Sequence, residues 1–176
     1  MSRPTRPDDE LLLGEWACLG ILAAEPSHGF AVSVRLRPDG DIGRVWSLSR
    51  ALTYRAIDRL RSIGHVAPVG EEPGLAGGNR TILDVTPSGR TVLHGWMTTP
   101  VPHLRDLRSE LLLKLTLAGT LGIDTSTLVE EQRKLVIDIE HTLRSRLNER
   151  NDDLVTMWRL ESAEAALRFL NSSTRR

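Results

Sequence analysis

The 176-residue chain is poor in the residues on which several classes of enzyme and secreted protein depend. Its one cysteine, Cys18, excludes a disulfide within the chain, which is typical of a protein in a reducing compartment. Its five histidines are scattered and show no zinc-ligand spacing with that cysteine. No pair of carboxylates stands out from the ordinary acids of helix surfaces. We therefore expect a binding protein with no metal, no other cofactor and no enzymatic activity.

Long apolar runs are also missing. No apolar stretch approaches the ~20 residues that a membrane-spanning helix needs. The N-terminal segment MSRPTRPDDE is polar and contains proline, which is not the pattern of a signal peptide. These features predict a cytoplasmic protein with no membrane partner.

The chain has no excess of charge of either sign, because Lys+Arg and Asp+Glu both number 23. Net charge therefore gives no support to nucleic-acid binding. The charge is nevertheless sorted locally, since residues 44–65 contain five arginines and a single aspartate, Asp58. A local basic patch is a better indicator of phosphate binding than the total charge.

This basic segment has the pattern of an amphipathic helix. Ser47 or Ser49 can cap its start, and Gly64 tolerates the left-handed conformation that ends a helix. The predicted buried stripe recurs at helical spacing and comprises Thr53, Ala56, Ile57, Leu60 and Ile63. Taken alone, the pattern favours a solvated surface helix with an Arg55–Asp58 ion pair.

The elements that precede the basic helix favour a DNA-reading role. A helix is predicted over residues 9–25 and is stopped by Pro26, and Ser27 can cap a second helix. Phe30 and Val34 are expected to face inward from this second helix. Two helices joined by a tight break before a basic helix are typical of a helix-turn-helix.

The elements that follow it predict a wing. Residues 65–69 and 80–85 read as two strands, and a glycine-rich loop over residues 70–79 joins them. A further helix is expected to start at Thr86 and Pro87. We therefore predict a mainly α fold with a small two-stranded β wing, in which a winged helix-turn-helix domain covers residues 9–98.

Beyond two prolines at positions 100 and 102 the sequence shows only helix signals. We predict an α-helical dimerisation region over residues 101–171 and flexible tails over residues 1–8 and 172–176. Long, narrow apolar stripes in this region need a cover, and packing on each other and on a second copy of the chain is the simplest one. The predicted dimerisation residues are Leu128, Leu135, Ile139, Leu143, Leu147, Leu154 and Trp158.

Three segments, in order, resemble the PadR family of bacterial transcriptional regulators. They are LGIL (19–22) with SHGF (27–30), YRAIDRL (54–60) with its following glycine, and GNRTILDVTPSGR (78–90). The resemblance covers about residues 10–97 and extends to RD (105–106) and ELLLKL (110–115). Phe30 and Leu83 stand where the family usually has tyrosine, and Thr53 stands where it has an aliphatic residue. We expect the Thr53 hydroxyl to bond a backbone carbonyl one turn back.

The resemblance implies a winged-helix homodimer that binds double-stranded operator DNA, usually as a repressor, and that a small-molecule effector releases. Within that reading, Ser49 and the amides of the helix start hold a phosphate, and the Tyr54 hydroxyl donates to another. Arg50 or Arg55 is expected to contact guanine. The predicted backbone contacts are Arg59, Asn79 and Arg80.

Three points stay open in the sequence. Asn79 and Arg80 are equally well explained as a turn residue and a solvated charge. The zero net charge favours an alternative function, a winged-helix module that binds a protein and not DNA. The tryptophans are enough to line an effector pocket between subunits, but each is more often core packing: Trp16, Trp46, Trp96 and Trp158.

Overall fold

The computed structural model describes residues 10–74, 78–149 and 153–173. The predicted N-terminal tail and residues 75–77 of the predicted wing loop lie outside these ranges. The first half is formed by α1 (Leu13–Ala24), α2 (Gly29–Arg35), α3 (Arg50–Ser62), β1 (Val66–Pro73), β2 (Asn79–Val85) and α4 (Pro87–Thr98). The second half contains a 3₁₀ turn (Leu104–Asp106), a π-helical turn (Leu107–Leu111), α5 (Leu112–Leu121), α6 (Ser126–Glu149) and α7 (Leu154–Ser173). The order of three helices, a two-stranded sheet and a fourth helix is that of a winged helix-turn-helix.

Helix α2 begins one residue later than the sequence predicts. Its cap is His28, whose Nδ1 accepts a hydrogen bond from the backbone N–H of Ala31 at 3.0 Å. Ser27 forms an isolated antiparallel bridge with Leu83 of β2 instead of capping the helix. The expectation that Phe30 faces inward is also wrong, because its side chain lies at the surface.

The predicted inner face of α2 is therefore shifted. Val34, like Phe30, is exposed, and the buried residues of this helix are Val32 and Ser33. The helix has only two turns, so its apolar positions do not fix a face by periodicity. The bridge between Ser27 and Leu83, which joins residues far apart in sequence, sets its rotation instead.

The connection from α2 to α3 folds closely on itself. Arg35 Nε lies 3.1 Å from both carboxylate oxygens of Asp41, and this hydrogen bond holds the pKa of Asp41 below its usual value. Ile42 is fully buried in the same turn. A Cβ atom on Gly43 would lie 1.7 Å from the carbonyl oxygen of Arg37, so this position requires glycine.

Helix α3 agrees with the sequence in both its ends and its buried face. Ser49 is the cap, and its Oγ accepts from Leu52 N at 3.3 Å. Thr53 is fully buried and donates through Oγ1 to the carbonyl of Ser49 at 3.1 Å, as predicted. Gly64 adopts a φ of +77° directly after the helix, which is the left-handed conformation expected of a terminating glycine.

The two strands form an antiparallel wing. Val66 pairs with Val85 and Pro73 with Asn79, and a β-bulge lies between Pro68 and Gly70. Both strands are longer than predicted. Strand β1 continues through two glutamates to Pro73, and β2 begins at Asn79. At the base of the wing, Thr86 Oγ1 caps α4 and also donates to the carbonyl of Gly64 at 2.7 Å. This contact joins the end of α3 to the start of α4.

One hydrophobic core lies beneath the winged domain and includes part of α5. Leu113, Leu117 and Ala118 of α5 pack against α1. The approach is so close that a Cβ atom on Gly20 would lie 2.6 Å from Leu117 Cδ1. The core of the first half therefore extends past the predicted domain boundary at residues 98–101 and includes α5.

A second core holds α6 and α7 together as an antiparallel pair. Its buried members come from the 99–111 segment and from both helices: Val101, Leu107, Leu111, Leu128, Val129, Val136, Leu143, Leu160, Ala163 and Leu170. Two buried polar side chains anchor the intervening linker. Gln132 accepts from Val101 N at 2.7 Å and donates to its carbonyl at 3.0 Å, and Lys114 donates to the carbonyl of Thr99 at 2.7 Å.

Candidate nucleic-acid interface

The outer face of α3 carries the residues predicted to read DNA. With the apolar stripe turned inward, Ser49, Arg50, Tyr54 and Arg55 are exposed, and Arg59 is partly buried. The four exposed residues form the first turn and a half of the helix. Their exposure and their place at a helix N-terminus suit an anionic ligand, because the amides and the helix dipole there favour negative charge.

The Arg55–Asp58 ion pair expected of a plain surface helix does not form. Asp58 lies instead 4.0 Å from Arg61 Nη1, one turn toward the helix C-terminus. Within the described ranges, Arg55 makes no hydrogen bond or ion pair. Its guanidinium group therefore keeps all its donors available to a ligand.

Arginines from α3 and from the wing converge on the ring of Phe30. The Cζ atom of Arg50 lies 5.4 Å from the centroid of the Phe30 ring and 5.6 Å from that of Tyr54. The Cζ atom of Arg80 lies 6.0 Å from the Phe30 centroid. Both distances to Phe30 are in the range of a cation–π contact. The wing and the first turn of α3 thus share one aromatic side chain.

His28 lies on the wing side of this cluster. Because its Nδ1 accepts from Ala31 N, the neutral ring carries its proton on Nε2. That nitrogen lies 3.1 Å from Glu72 Oε1, to which it can donate, and 3.2 Å from Arg80 Nη1. The other predicted wing residue, Asn79, donates from Nδ2 to Glu71 Oε2 at 2.8 Å. Asn79 therefore contacts an acid of β1, and Arg80 lies beside the histidine that contacts another.

A shallow groove of about 500 Å³ runs between α2, α3 and the wing. Six of its lining residues define its chemistry: His28, Phe30, Arg50, Tyr54, Asn79 and Arg80. The groove combines guanidinium groups with aromatic rings and one amide, which are groups that bind phosphates and base edges. Four of these six were predicted as DNA-binding residues, and their roles in binding stay predictions.

Sequence patterns do not identify His28 and Phe30 as members of the site, because they predict a helix capped by Ser27 with Phe30 facing inward. The signal that could have moved it outward is the histidine two residues earlier, which can cap a helix through Nδ1. With His28 as cap, Val32 and Ser33 take the inner face, and Phe30 turns toward the wing.

The predicted dimerisation residues fall into three groups. Leu128 and Leu143 are buried between α6 and α7 of the same chain. Leu135, Ile139 and Leu147 are partly buried. Leu154 and Trp158, by contrast, are 75% and 74% exposed on α7.

An open groove of about 1030 Å³ lies beside Trp158. It runs between α7 and the segment that contains the 3₁₀ and π-helical turns. Its walls are mainly apolar, and Arg105, Arg108 and Arg159 are among its lining residues. Of the four tryptophans, Trp158 is the one that lines this groove.

The other three tryptophans belong to the folded interior. Trp16 and Trp96 stack with their centroids 4.8 Å apart, and the Lys114 ammonium lies 4.9 Å from the Trp96 centroid. Burial lowers the pKa of Lys114, and the nearby Glu110 carboxylate opposes that shift. Trp46 lies before α3, and its buried Nε1 has no hydrogen-bond partner in the described part of the chain.

Burial, and after it the charge of Glu15, raises the pKa of the fully buried Cys18 thiol far above its usual value, which disfavours the reactive thiolate. Across residues 10–74, 78–149 and 153–173, no group of three or more His, Cys, Asp or Glu side chains could hold a metal ion. In the same ranges, no helix is long and apolar enough to cross a bilayer.

No family model matches the chain, and no curated protein matches it. Solved structures with a similar fold include PadR and a PadR-like transcriptional regulator. Bacillus subtilis PadR in complex with operator DNA is 18% identical, with a TM-score of 0.47, and the match covers 92% of this chain and 96% of that one. Bacillus subtilis PadR in a second structure is 17% identical, with a TM-score of 0.43 and coverage of 98% and 97%.

A PadR-like transcriptional regulator from Bacillus cereus is 16% identical, with a TM-score of 0.43 and coverage of 99% and 98%. These proteins belong to the family that the three sequence motifs resemble. The likeness concerns the fold and spans nearly the whole chain. By the order of its own elements, the chain is a winged helix-turn-helix protein with an α-helical C-terminal region.

Proposed function

We propose that the chain is a transcriptional regulator that binds double-stranded operator DNA as a homodimer, represses its target genes and is released by a small-molecule effector. The observation that carries the DNA-binding part is the convergence of Arg50 and Arg80 on one side of the winged domain, 5.4 and 6.0 Å from the Phe30 ring. This arrangement places a cation from the helix and a cation from the wing where a duplex can meet both.

The residues of the site divide into positioning and reading contacts. Ser49 and the free amides of the α3 N-terminus bind one phosphate, and Tyr54 donates to another. Arg50 or Arg55 contacts guanine in the major groove, where a guanidinium can bond O6 and N7 together. Arg59, Asn79 and Arg80 contact the backbone and fix the register of the protein on the duplex.

The test is the binding of a fluorescein-labelled duplex from the promoter region of its own gene, measured by anisotropy over a series of salt concentrations. A scrambled duplex of the same length and composition is the matched control. We expect tighter binding of the promoter duplex and a linear fall of log affinity with log salt concentration. Binding that is absent, or that does not respond to salt, would favour the alternative of a winged-helix module that binds another protein.

The homodimer is supported by the apolar surface of α7. Leu154, Val155 and Trp158 are all more than two-thirds exposed, and they project from a helix whose other face is already packed on α6. Exposed apolar clusters of this kind are typical of interaction surfaces. For such a homodimer to bind one operator, its two α3 helices must reach successive major grooves, which are ~34 Å apart.

The resemblance to the PadR family implies that an effector releases the protein from DNA. The groove beside α7 supports this part of the proposal. The groove is of the size that binds small molecules, and its walls are mainly apolar with arginines among them. Compounds that raise the melting temperature of the protein and also release the promoter duplex would identify an effector. Compounds that raise the melting temperature but leave the DNA bound would separate ligand binding from regulation.

A further inference from the structure

We propose that Phe30 is a positioning residue for DNA recognition, whose ring holds Arg50 of α3 and Arg80 of the wing in one arrangement before DNA binds. This inference rests on the proposed DNA-binding function and deepens it. Phe30 is 37% exposed and is not part of either hydrophobic core. A large aromatic side chain in that position is not explained by burial.

The backbone that precedes Phe30 is attached to both the wing and α3. At the start of α2, Ser27 exchanges backbone hydrogen bonds of 3.1 and 3.0 Å with Leu83 of β2. On the other side, a Cβ atom on Gly29 would lie 3.1 Å from the Tyr54 ring, so α2 approaches α3 closely. Phe30 follows directly on this double attachment. The position of Phe30 therefore depends on how the wing and α3 are placed relative to each other.

The contacts of the Phe30 ring restrict the rotamers of the arginine side chains that lie over it. An arginine side chain at a surface samples many rotamers, and ordering it on binding costs affinity. An aromatic face attracts a guanidinium group through the ring quadrupole, which favours the rotamers that lie over it. Arg50 lies between the rings of Phe30 and Tyr54, and Arg80 lies over the ring of Phe30. The two cations are thus preorganised by one residue that need not touch the DNA.

Two substitutions separate the ring face from the apolar volume. Phe30→Leu keeps an apolar side chain but removes the quadrupole, whereas Phe30→Tyr keeps the ring. We expect the affinity for the promoter duplex to fall about fivefold to tenfold in Phe30→Leu and to stay within about twofold in Phe30→Tyr. Melting temperatures of the two variants check that neither change acts through the stability of the fold.

A double-mutant cycle tests whether Phe30 acts through the arginines. In an Arg50→Ala, Arg80→Ala background, Phe30→Leu should change affinity by less than about twofold, because the side chains that it orders are gone. A loss as large as in the wild type would show that Phe30 acts on the DNA or the fold directly and would overturn the proposal.

The free protein supplies an independent readout. Ring currents should displace the Nε–Hε resonances of Arg50 and Arg80 in ¹H–¹⁵N spectra, and Phe30→Leu should move them toward the values of exposed arginines. Unchanged resonances would overturn the positioning role whether or not the protein binds DNA. If Phe30→Leu moves the resonances but leaves promoter affinity constant, the positioning role is also overturned. In both cases the proposed function stands as long as the wild-type protein binds the promoter duplex. A wild type that binds no duplex would overturn both.

Discussion

The arginines of the helix and of the wing are expected to contribute to binding in different ways. Arg55→Ala should cost about 1–3 kcal/mol of binding free energy on the promoter duplex and relax the sequence preference, because a base contact is lost. Arg80→Ala should weaken binding to all duplexes alike and lower the salt slope by about 1, because a phosphate contact is lost. Anisotropy titrations on promoter and scrambled duplexes measure both effects.

The matched control is Arg168→Ala, which removes an exposed arginine from α7. It should leave the affinity and the salt slope unchanged. If Arg55→Ala also leaves promoter affinity unchanged at fixed salt, the outer face of α3 is not the reading surface.

A substitution at Gly64 tests how α3 ends and leaves the residues of the candidate interface unchanged. Its φ of +77° strains any residue with a Cβ atom, although nothing lies within 4 Å of where that atom would be. Gly64→Ala should therefore lower the free energy of unfolding by about 1–2 kcal/mol. The measurement is chemical denaturation followed by circular dichroism.

Gly95→Ala is the control for this substitution. Gly95 is an exposed residue inside α4, also with open space at its Cβ position, but its φ is negative. Alanine there should raise the free energy of unfolding by about 0.5–1 kcal/mol, because glycine is a poor helix former. Equal effects at the two positions would show that the backbone conformation at Gly64 is not the cause.

At the scale of elements, the sequence predicts helices best where a cap and a long apolar period agree. Helix α3 is the clearest case, because Ser49, the stripe from Thr53 to Leu60 and Gly64 all indicate the same boundaries. Helix α2 is too short for its period to decide a face, and its rotation depends on a bridge to β2 that lies 56 residues away. Tertiary contacts of that kind leave no local pattern.

No sequence pattern predicts that two polar side chains of the second half are buried. Lysine and glutamine side chains in helices usually lie at the surface, yet Lys114 and Gln132 are only 1% and 0% exposed. Their partners are backbone groups of the 99–101 linker, which a sequence pattern does not identify. The segment before α5 also contains 3₁₀ and π-helical turns, which the helix signals of this region do not predict.

Gln132 should be the strongest link between α6 and the linker. Gln132→Leu keeps the side-chain volume but leaves both the N–H and the carbonyl of Val101 buried without a partner. We expect a loss of about 2–4 kcal/mol in the free energy of unfolding. Glu131→Leu, at the exposed neighbouring position of the same helix, is the control and should change it by less than about 0.5 kcal/mol. Similar losses from both would mean that the amide does not hold the linker.

For the whole molecule, we propose that the exposed part of α7 forms the contact with a second copy of the chain. Trp158→Glu combined with Val155→Glu should give a monomer at micromolar concentration in multi-angle light scattering, because charges replace the apolar surface proposed to face a second copy. The helical circular-dichroism signal should persist, since neither side chain belongs to the core between α6 and α7. Leu143 would be a poor choice for this test because it is buried within its own chain.

Ser145→Glu is the control, because it adds charge at an exposed position of α6. It should leave the dimer intact. A wild type that is monomeric in the same measurement would contradict the proposed homodimer, although a monomer could still bind a single site on DNA.

The edges of the wing have a consequence for the behaviour of the protein at high concentration. Open sheet edges recruit strands from neighbouring molecules, and they are the usual starting points of fibrous aggregates. Here Ser27 occupies part of the outer edge of β2, whereas β1 carries Pro68, Pro73 and two glutamates. Proline lacks the N–H that a new strand would need, and like charges keep two β1 strands apart. The small sheet is therefore protected against wing-to-wing association.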